Sequence, residues 1–148
     1  MAADFKVGVV NPGKILAESA PAVAAQNKLK SYFKSREDEL NRRVRAFKDK
    51  AGKFEKDSAV MTESERLSKR RDLAEEEREI TRMQRALLEE RNQRAQEESQ
   101  IILSRANRII QDLAKSQKYD LILQEAVWAS PKVDLTDEVI KRLNKPAK

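Results

Sequence analysis

One long stretch of this chain, residues 21–117, lacks nearly every residue that usually ends a helix. It begins at Pro21 and then holds a single glycine, Gly52, and no further proline. Glycine and proline are the strongest interruptions of helical patterns, so the stretch predicts long helices. The whole chain is 38% charged and 39% hydrophobic, and its apolar residues form thin stripes. We therefore expect a mainly α protein that buries apolar surface by pairing helices and by associating with other subunits.

The first part of this stretch carries the pattern of a coiled-coil seam. Apolar residues recur every seven positions, the repeat that keeps one helix face against a partner helix. These arm-seam candidates are Phe33, Leu40, Phe47, Phe54 and Met61. Glu37 and Ser58 occupy seam positions where an apolar residue is expected, so the seam is narrow. The pattern predicts a partner helix but no thick core.

A second helix is predicted to return along the first. Thr62-Glu63-Ser64-Glu65 has the pattern of a capping box, in which Thr62 and Glu65 satisfy each other's backbone N–H groups. Beyond it, apolar residues again recur every seven positions. One ladder holds Leu73, Ile80, Leu87 and Ile101, and an adjacent one holds Ala74, Thr81, Leu88, Ala95, Ile102 and Ile109. At about 1.5 Å per residue each helix spans roughly 60 Å, which predicts an antiparallel hairpin arm over residues 21–117 with its tip near residues 57–64.

The two ends of the chain, residues 1–20 and 118–148, are predicted to form a small β body. Residues 5–10 alternate and are rich in β-branched side chains, which favours a strand. Asn11-Pro12-Gly13 is a turn that also opens a short helix. Ser19 is the expected N-cap of the long helix that follows.

The second half of the body is predicted to contain more strands and a closing helix. Residues 119–124 and 126–130 have strand-like patterns, and residues 133–135 suit a short edge segment. Thr136 is the expected N-cap of a helix that ends at Leu143.

A sheet of three or four short strands from one chain leaves open edges and buries little surface. We therefore expect strands from several copies to complete a shared barrel or sandwich. The candidates for its inward face, which form the oligomer body, are Val7, Val9, Leu121, Leu123 and Val127. Trp128 is expected to be buried at a contact between subunits. The large aliphatic residues from Ile101 to Leu113 are expected to pack into the body.

The composition excludes several kinds of chemistry. The chain has no cysteine and no histidine, which removes thiol nucleophiles, disulfides, imidazole bases and the usual zinc sites. Its sequence also has no glycine-rich nucleotide-binding loop and no serine-hydrolase elbow. The run Glu75-Glu76-Glu77 alternates with Arg78, Arg82 and Arg85, so we expect solvated ion pairs there rather than catalytic carboxylates. We predict that the protein is not an enzyme and uses no cofactor and no metal.

Positive charge is concentrated around the predicted hairpin tip. Residues 41–71 hold 11 Lys and Arg against 5 Asp and Glu, a difference of +6 that equals the net charge of the whole chain. The basic tip consists of Arg42, Arg43, Lys48, Lys50, Lys53, Lys69, Arg70 and Arg71. Such a surface attracts nucleic acid, anionic lipid head groups or acidic unfolded chains, or it keeps a long hairpin soluble. Because the aromatic residues nearby, Phe47 and Phe54, lie in the seam, we expect no specific nucleic acid to bind.

Membrane and targeting signals are not evident in the sequence. No stretch of 18 apolar residues is present, so no transmembrane segment is expected. Met1-Ala2-Ala3-Asp4 has no basic head followed by an apolar run, so we expect no secretory signal within this sequence. The lack of cysteine is compatible with both the cytosol and the periplasm.

Four segments, taken in order, resemble the Skp/OmpH family of periplasmic outer-membrane-protein chaperones. They are Val7-Gly8-Val9-Val10-Asn11, the long charged hairpin, Tyr119-Asp120-Leu121-Ile122-Leu123 and Asp134-Leu135-Thr136-Asp137-Glu138-Val139. The resemblance implies a homotrimer whose strands form a central barrel and whose three hairpins surround a cavity. It also implies an ATP-independent holdase that sequesters unfolded outer-membrane β-barrel proteins. It places the protein in the periplasm, with a signal peptide removed.

The resemblance marks no client-binding residue in this chain. The arm-seam residues are therefore candidates for client contact only if the arms separate. Two alternatives to the periplasmic holdase stay open. One is a prefoldin-like holdase of the cytosol, and the other is a basic coiled-coil protein that binds nucleic acid through its tip.

Overall fold

The structure of the protein, a computed structural model, describes residues 4–146, so the expectation about Met1-Ala2-Ala3 lies outside the described residues. The elements in chain order are β1 (Val7–Val10), α1 (Pro12–Glu18), α2 (Ala20–Asp57), a 3₁₀ turn (Ser58–Val60), α3 (Glu63–Ser116), β2 (Leu121–Gln124) and α4 (Thr136–Leu143). Two long helices with a small sheet confirm the fold class predicted from the sequence. Among the described residues, no helix combines the length and apolar character needed to cross a bilayer.

The chain divides into two compact units. The terminal unit comprises residues 1–29 and 94–148, and it contains the sheet, α1, α4, the start of α2 and the end of α3. The hairpin unit comprises residues 30–93, and it contains the rest of α2 and α3 together with the 3₁₀ turn.

Two parallel strands form the sheet of the terminal unit. Val9 on β1 lies beside Leu123 on β2. On the other edge of β1, the Val9 N–H donates to the Val133 carbonyl at 2.8 Å, and the Val9 carbonyl accepts from the Leu135 N–H at 2.8 Å. These hydrogen bonds confirm the expected edge segment at residues 133–135.

The expected strand at residues 126–130 is wrong. β2 ends at Gln124, and Glu125 turns the backbone away with a φ of 57° while its N–H donates to the Val10 carbonyl at 3.1 Å. Residues 126–130 then continue without strand pairing in the described chain. Their apolar pattern favoured a strand, but a strand also needs a neighbouring backbone that supplies hydrogen bonds.

The core of the terminal unit packs helices against one face of the sheet. Its buried residues are Val10, Ile15, Ala22, Ile102, Ala106, Leu113, Leu135, Val139, Ile140 and Leu143. α4 contributes three of them from one apolar face, as expected for a short amphipathic helix. The expectation that Ile101 packs into this core is wrong, since its side chain is 64% exposed while Ile102 is buried. Neighbouring residues on a helix point about 100° apart, and the packing of the terminal unit buries Ile102 and leaves Ile101 exposed.

Polar side chains cap the first helices of the terminal unit. The Asn11 side chain accepts a hydrogen bond from the Lys14 N–H at 3.2 Å at the start of α1. The buried Ser19 hydroxyl accepts from the Ala22 N–H at 3.4 Å at the start of α2. Ser19 thus makes the hydrogen bond expected of an N-cap.

The prediction that Thr136 is an N-cap is wrong. Thr136 is the first residue of α4, and the cap position belongs to Leu135. The Asp134 carboxylate accepts from the Thr136 N–H at 2.9 Å and from its hydroxyl at 2.6 Å. The Thr136 hydroxyl oxygen in turn accepts from the Asn11 N–H at 2.9 Å. This tertiary contact uses the oxygen that a cap would need, and it lies far from Thr136 in sequence.

The hairpin unit is an antiparallel helix pair, as predicted. The Arg91 guanidinium donates to the Glu37 carboxylate at 2.6 Å, and farther along α2 the Lys50 ammonium donates to the Glu76 carboxylate at 3.2 Å. As the residue number on α2 rises from 37 to 50, the residue number of its partner on α3 falls from 91 to 76, which defines antiparallel pairing.

The turn between the two helices contains the expected capping box. The Thr62 N–H donates to the Glu65 carboxylate at 3.2 Å, and the Glu65 N–H donates to the Thr62 hydroxyl at 3.1 Å. Arg66 also donates to the Ser58 carbonyl at 3.0 Å and ties the 3₁₀ turn to the start of α3. The reversal of the chain is therefore closed by side chains as well as by backbone.

Candidate functional site

The arm-seam candidates differ in how far the hairpin unit buries them. Phe33 and Leu40 are buried, whereas Phe47, Phe54 and Met61 are half-buried. Burial of apolar side chains is therefore greatest far from the turn and least near it. Seam residues near the turn keep apolar surface that another chain can reach.

A groove lies beside the turn of the hairpin unit. Its volume is about 440 Å³. Its apolar lining comes from Phe54, Met61 and Leu73, while its charged lining comes from Lys50, Lys53, Lys69, Asp57, Asp72 and Glu76. Lys50 is held in an ion pair with Glu76. The groove thus combines an apolar patch with charges of both signs.

The basic-tip residues do not act as one free cluster. Arg42, Lys48, Lys53, Lys69, Arg70 and Arg71 are exposed. Arg43 is half-buried, and its guanidinium lies 2.7 Å from the Met83 sulfur and 4.0 Å from the Glu79 carboxylate. Lys53 and Lys69 line the groove, and Lys50 is already paired there. The charge predicted from the sequence is therefore divided between structural ion pairs and free cations.

None of the expected ion pairs between the run Glu75-Glu76-Glu77 and the arginines of α3 forms within residues 4–146, and Glu76 pairs instead with Lys50 on α2. Arg82 pairs with Glu79, at 3.1 Å and 2.6 Å, rather than with the run Glu75-Glu76-Glu77. This hydrogen bonding lowers the pKa of the Glu79 carboxyl below its ordinary value. Arg78 and Arg85 make no ion pair within residues 4–146. The spacing predicted that Arg82 pairs with a carboxylate on the same helix, but it did not predict that this carboxylate belongs to Glu79.

The oligomer-body candidates of the two strands share one face of the sheet. Val7 and Val9 are half-buried, and their neighbours Leu121 and Leu123 on β2 are exposed. The opposite face carries Gly8, Val10 and Ile122 and packs on the core of the terminal unit. Alternation along a strand explains this division. Within residues 4–146, this face of the sheet therefore remains largely uncovered.

Two further apolar side chains are exposed just after β2. Val127 is fully exposed and Trp128 is 80% exposed. They line a groove of about 600 Å³ that also includes Val9 and Asp134. The described part of the chain therefore leaves Trp128 exposed. β2 also has one unpaired edge among the described residues, since its strand partner there is β1.

Exposed apolar residues on the helices were not selected as candidates from the sequence. They are Val23, Tyr32, Leu67, Leu88 and Ile101. Leu88 and Ile101 lie on the α3 ladders already identified in the sequence, and the same seven-residue spacing extends the second ladder back to Leu67. Across residues 4–146, no group of three or more acidic side chains is arranged to hold a metal ion.

Comparison with known proteins identifies the family. The family profile described as "Outer membrane protein (OmpH-like)" matches residues 6–143. The "Chaperone protein Skp" of Photorhabdus laumondii is 28% identical over 140 residues, which cover 93% of this chain and 85% of that protein. The protein of the same name from Escherichia coli K12 is 27% identical over 141 residues, with 93% and 86% covered.

The fold is also shared with a solved structure. The crystal structure of an OmpH-like protein from Caulobacter crescentus CB15 aligns with a TM-score of 0.78. The alignment covers 97% of this chain and 86% of that one at 18% sequence identity. These findings confirm the resemblance inferred from the sequence segments. Because the family profile extends over most of its length, this chain belongs to the OmpH-like outer membrane protein family.

Proposed function

We propose that this protein is an ATP-independent holdase chaperone that prevents unfolded outer-membrane β-barrel proteins from aggregating. The observation that carries the proposal is the family relationship along residues 6–143, which include both strands and both long helices. Relatives across this length are named as chaperones. The family is a chaperone family, and we extend this to the proposal that the chain is not an enzyme and needs no cofactor or metal.

The hairpin unit is suited to weak and exchangeable contacts with a client. The half-buried seam residues Phe47, Phe54 and Met61 keep accessible apolar surface beside exposed lysines. Basic side chains attract acidic segments over about a Debye length, roughly 8–10 Å at physiological salt. Many weak contacts allow a client to leave without an energy source. Phe33 and Leu40 are buried, so they contact a client only when the two helices separate.

We further propose that several copies, three in the arrangement that the family resemblance implies, hold the client between their hairpins. The uncovered sheet face supports association because Leu121 and Leu123 are exposed beside the unpaired edge of β2. Val127 and Trp128 are also exposed and line a groove with Val9 of the same sheet face. An exposed strand edge flanked by apolar side chains is a template for pairing with another chain. Association of copies would also bury Trp128, as predicted from the sequence.

The proposed location is the periplasm, where unfolded outer-membrane proteins pass before insertion. Anionic lipid head groups are a proposed additional partner for the exposed cations near the hairpin turn, such as Arg42 and Lys48. Binding of liposomes that contain anionic lipids, compared with neutral liposomes, tests this part independently of chaperone activity.

A dilution assay tests the proposed function. A urea-denatured β-barrel membrane protein is diluted into buffer with and without the purified chain, and light scattering reports aggregation. We expect suppression at about one oligomer per client, without added ATP. Mass measurement of the free protein in the same buffer reports the number of copies. Scattering that is unchanged by the protein contradicts the holdase role, and a monomeric mass contradicts the shared barrel.

A further inference from the structure

The exposed side of α3 in the hairpin unit carries a second seven-residue ladder. Its members are Leu67, Ala74, Thr81 and Leu88. All four are exposed, with Leu67 at 52% and Leu88 at 59%. The neighbouring ladder through Leu73, Ile80 and Leu87 is buried or half-buried and supplies the seam with α2. The second ladder is thus not needed to pair the two helices.

Three arginines run beside this exposed ladder. Arg71, Arg78 and Arg85 each follow a ladder residue by four positions, so they lie on the same side of the helix. All three are exposed, and within residues 4–146 their guanidinium groups make no ion pair and no hydrogen bond. Arg82 and Arg91 of α3 differ from these three, since they are held by Glu79 and Glu37. The three arginines therefore form a regular row whose guanidinium groups have no ion-pair partner within residues 4–146, although Glu75 and Glu89 each follow a row member by four positions.

The other flank of the ladder carries charges of both signs. Residues three positions after the four ladder members are Arg70, Glu77, Gln84 and Arg91; two are positive, one is negative and one is neutral, and Arg91 is paired with Glu37. A row of arginines at seven-residue spacing without ion-pair partners is therefore confined to the flank of Arg71, Arg78 and Arg85. A ligand on this surface meets alternating apolar and cationic groups along one line.

We infer that this surface binds acidic, extended segments of an unfolded client chain. We call it the arginine stripe and define it as the ladder Leu67, Ala74, Thr81 and Leu88 with the row Arg71, Arg78 and Arg85. The inference rests on the proposed holdase function and identifies which helix face contacts the client and which client chemistry it selects.

The spacing of the row fits an extended polypeptide. Seven helical residues advance about 10.5 Å. An unfolded chain often adopts polyproline II geometry, with three residues per turn and about 3.1 Å per residue, so every third side chain faces the same way about 9.3 Å apart. A client with acidic residues at such intervals brings one carboxylate near each arginine. Apolar side chains between them meet Leu67 and Leu88.

A second copy of this chain fits the stripe less well. Its acidic residues at matching seven-residue spacing on α3 are Glu65, Asp72 and Glu79. Glu65 is used in the capping box and Glu79 in the pair with Arg82. An anionic membrane presents charge without a fixed spacing, so it makes no use of the regular row. Measurements of oligomer mass and of liposome binding distinguish a client segment from a second copy of the chain and from a membrane.

A peptide titration tests the charged half of the stripe. The probe is a fluorescently labelled 12-residue peptide that repeats Glu-Phe-Ser, and its binding to the full chain is followed by anisotropy. The stripe variant combines Arg71→Gln, Arg78→Gln and Arg85→Gln. A matched control with the same change of net charge combines Lys30→Gln, Lys34→Gln and Arg45→Gln, which are also exposed positions of the hairpin unit.

The expected result is about tenfold weaker binding for the stripe variant, since three exposed ion pairs are lost. The control should change binding by less than about twofold, through long-range charge alone. A peptide that repeats Lys-Phe-Ser should bind weakly to all three proteins. Equal losses in the stripe variant and the control overturn the inference, as does failure of the wild-type chain to bind the acidic peptide.

The apolar half is tested by combining Leu67→Ser with Leu88→Ser. This variant should weaken binding of the Glu-Phe-Ser peptide several-fold and leave a Glu-Ser-Ser peptide unaffected. The matched control is Val60→Ser, which removes an exposed apolar residue from the 3₁₀ turn. If the control weakens binding as much as the ladder variant, the ladder is not the contact surface.

Two further measurements separate the inference from the holdase proposal. If the stripe variant suppresses aggregation of the denatured membrane protein as well as wild type does, the holdase role stands and the inference fails. If the wild-type chain does not suppress aggregation, the holdase role fails while peptide binding still decides the inference. A changed oligomer mass in the stripe variant assigns the stripe to a second copy. Loss of anionic liposome binding by the stripe variant, without loss of peptide binding, assigns the stripe to lipid. Either result, the changed oligomer mass or the lost liposome binding, overturns the inference.

Discussion

The Arg91 guanidinium on α3 donates a hydrogen bond to the Glu37 carboxylate on α2 at 2.6 Å within the hairpin unit. Glu37 stands at a seam position where the seven-residue pattern calls for an apolar side chain. The polar interruption is therefore used as a cross-link between the helices. Both side chains remain partly exposed, Glu37 at 39% and Arg91 at 48%, so water competes with the pair and keeps it weak.

A double-mutant cycle with Glu37→Gln and Arg91→Gln should give a coupling free energy of about 0.5 kcal/mol. The value should fall further in 1 M salt, where the Debye length is about 3 Å. Urea unfolding of the four proteins measures it. A coupling that stays constant between low and high salt would mean that the contact is not electrostatic.

Phe33→Ala should strongly destabilise the protein, because Phe33 is fully buried in the hairpin unit. Removal of a buried aromatic ring costs about 3–5 kcal/mol. Phe47→Ala serves as the matched control, since Phe47 follows on the same seam but is half-buried, and it should cost about half as much. Urea unfolding compares the two, and equal losses would contradict the gradient of burial along the seam.

Gly8→Ala should destabilise the terminal unit. A Cβ at this position lies 2.7 Å from Cδ1 of Leu135 and 3.1 Å from Cε1 of Tyr119. Leu135 is itself a core residue and has little room to move, so we expect a loss of about 1–3 kcal/mol. Gly52→Ala, in a helix with open space around the site, should instead stabilise by about 0.5–1 kcal/mol. Thermal unfolding distinguishes the opposite signs.

Lys118→Gly should stabilise the protein slightly. Lys118 lies two residues after the end of α3 with a φ of 57°, a left-handed conformation that glycine adopts without steric cost. Removing the steric strain in the folded chain stabilises the protein by more than the extra conformational freedom of glycine in the unfolded chain destabilises it. The expected net gain is about 0.5 kcal/mol. Lys118→Ala removes the same charge without the backbone freedom and should not stabilise. An equal gain in both variants, measured by thermal unfolding, would assign the effect to charge.

Asp134→Asn should reduce the acid sensitivity of the protein. Hydrogen bonds from Thr136 lower the pKa of Asp134 in the folded chain, with a smaller contribution from the charge of Lys14. A lowered pKa stabilises the fold above the unfolded value of about 3.9, and this contribution is lost as the pH falls through the folded pKa. Wild type should therefore lose more stability than the variant between about pH 5 and pH 2. Parallel pH profiles of thermal unfolding would exclude a role for this carboxyl.

Local signals in the sequence predicted much of the fold. The heptad residues from Phe33 to Met61, the near absence of glycine and the Thr62 and Glu65 capping box identified both long helices and the turn between them. These features act within a few residues along the chain, so their physical effect is visible without the fold. The division of the chain into a body at 1–20 with 118–148 and an arm at 21–117 stays a prediction.

Errors arose where distant segments decide the outcome. Residues 126–130 have the composition of a strand but have no strand partner in the described chain. Thr136 has the chemistry of an N-cap, yet its hydroxyl oxygen accepts the Asn11 N–H. Ile101 shares a ladder with seam residues, but the packing of the terminal unit selects Ile102. In each case the missing information is a contact made by a residue far away in sequence.

The sequence by itself determined that two long helices pair in opposite directions and that cysteine and histidine chemistry is impossible. It did so because helix periodicity, capping and composition are local properties. Only the tertiary structure decided which face of the sheet stays uncovered and which arginines of α3 remain unpaired. Those features depend on the register between elements, where a shift of one residue exchanges a buried side chain for an exposed one.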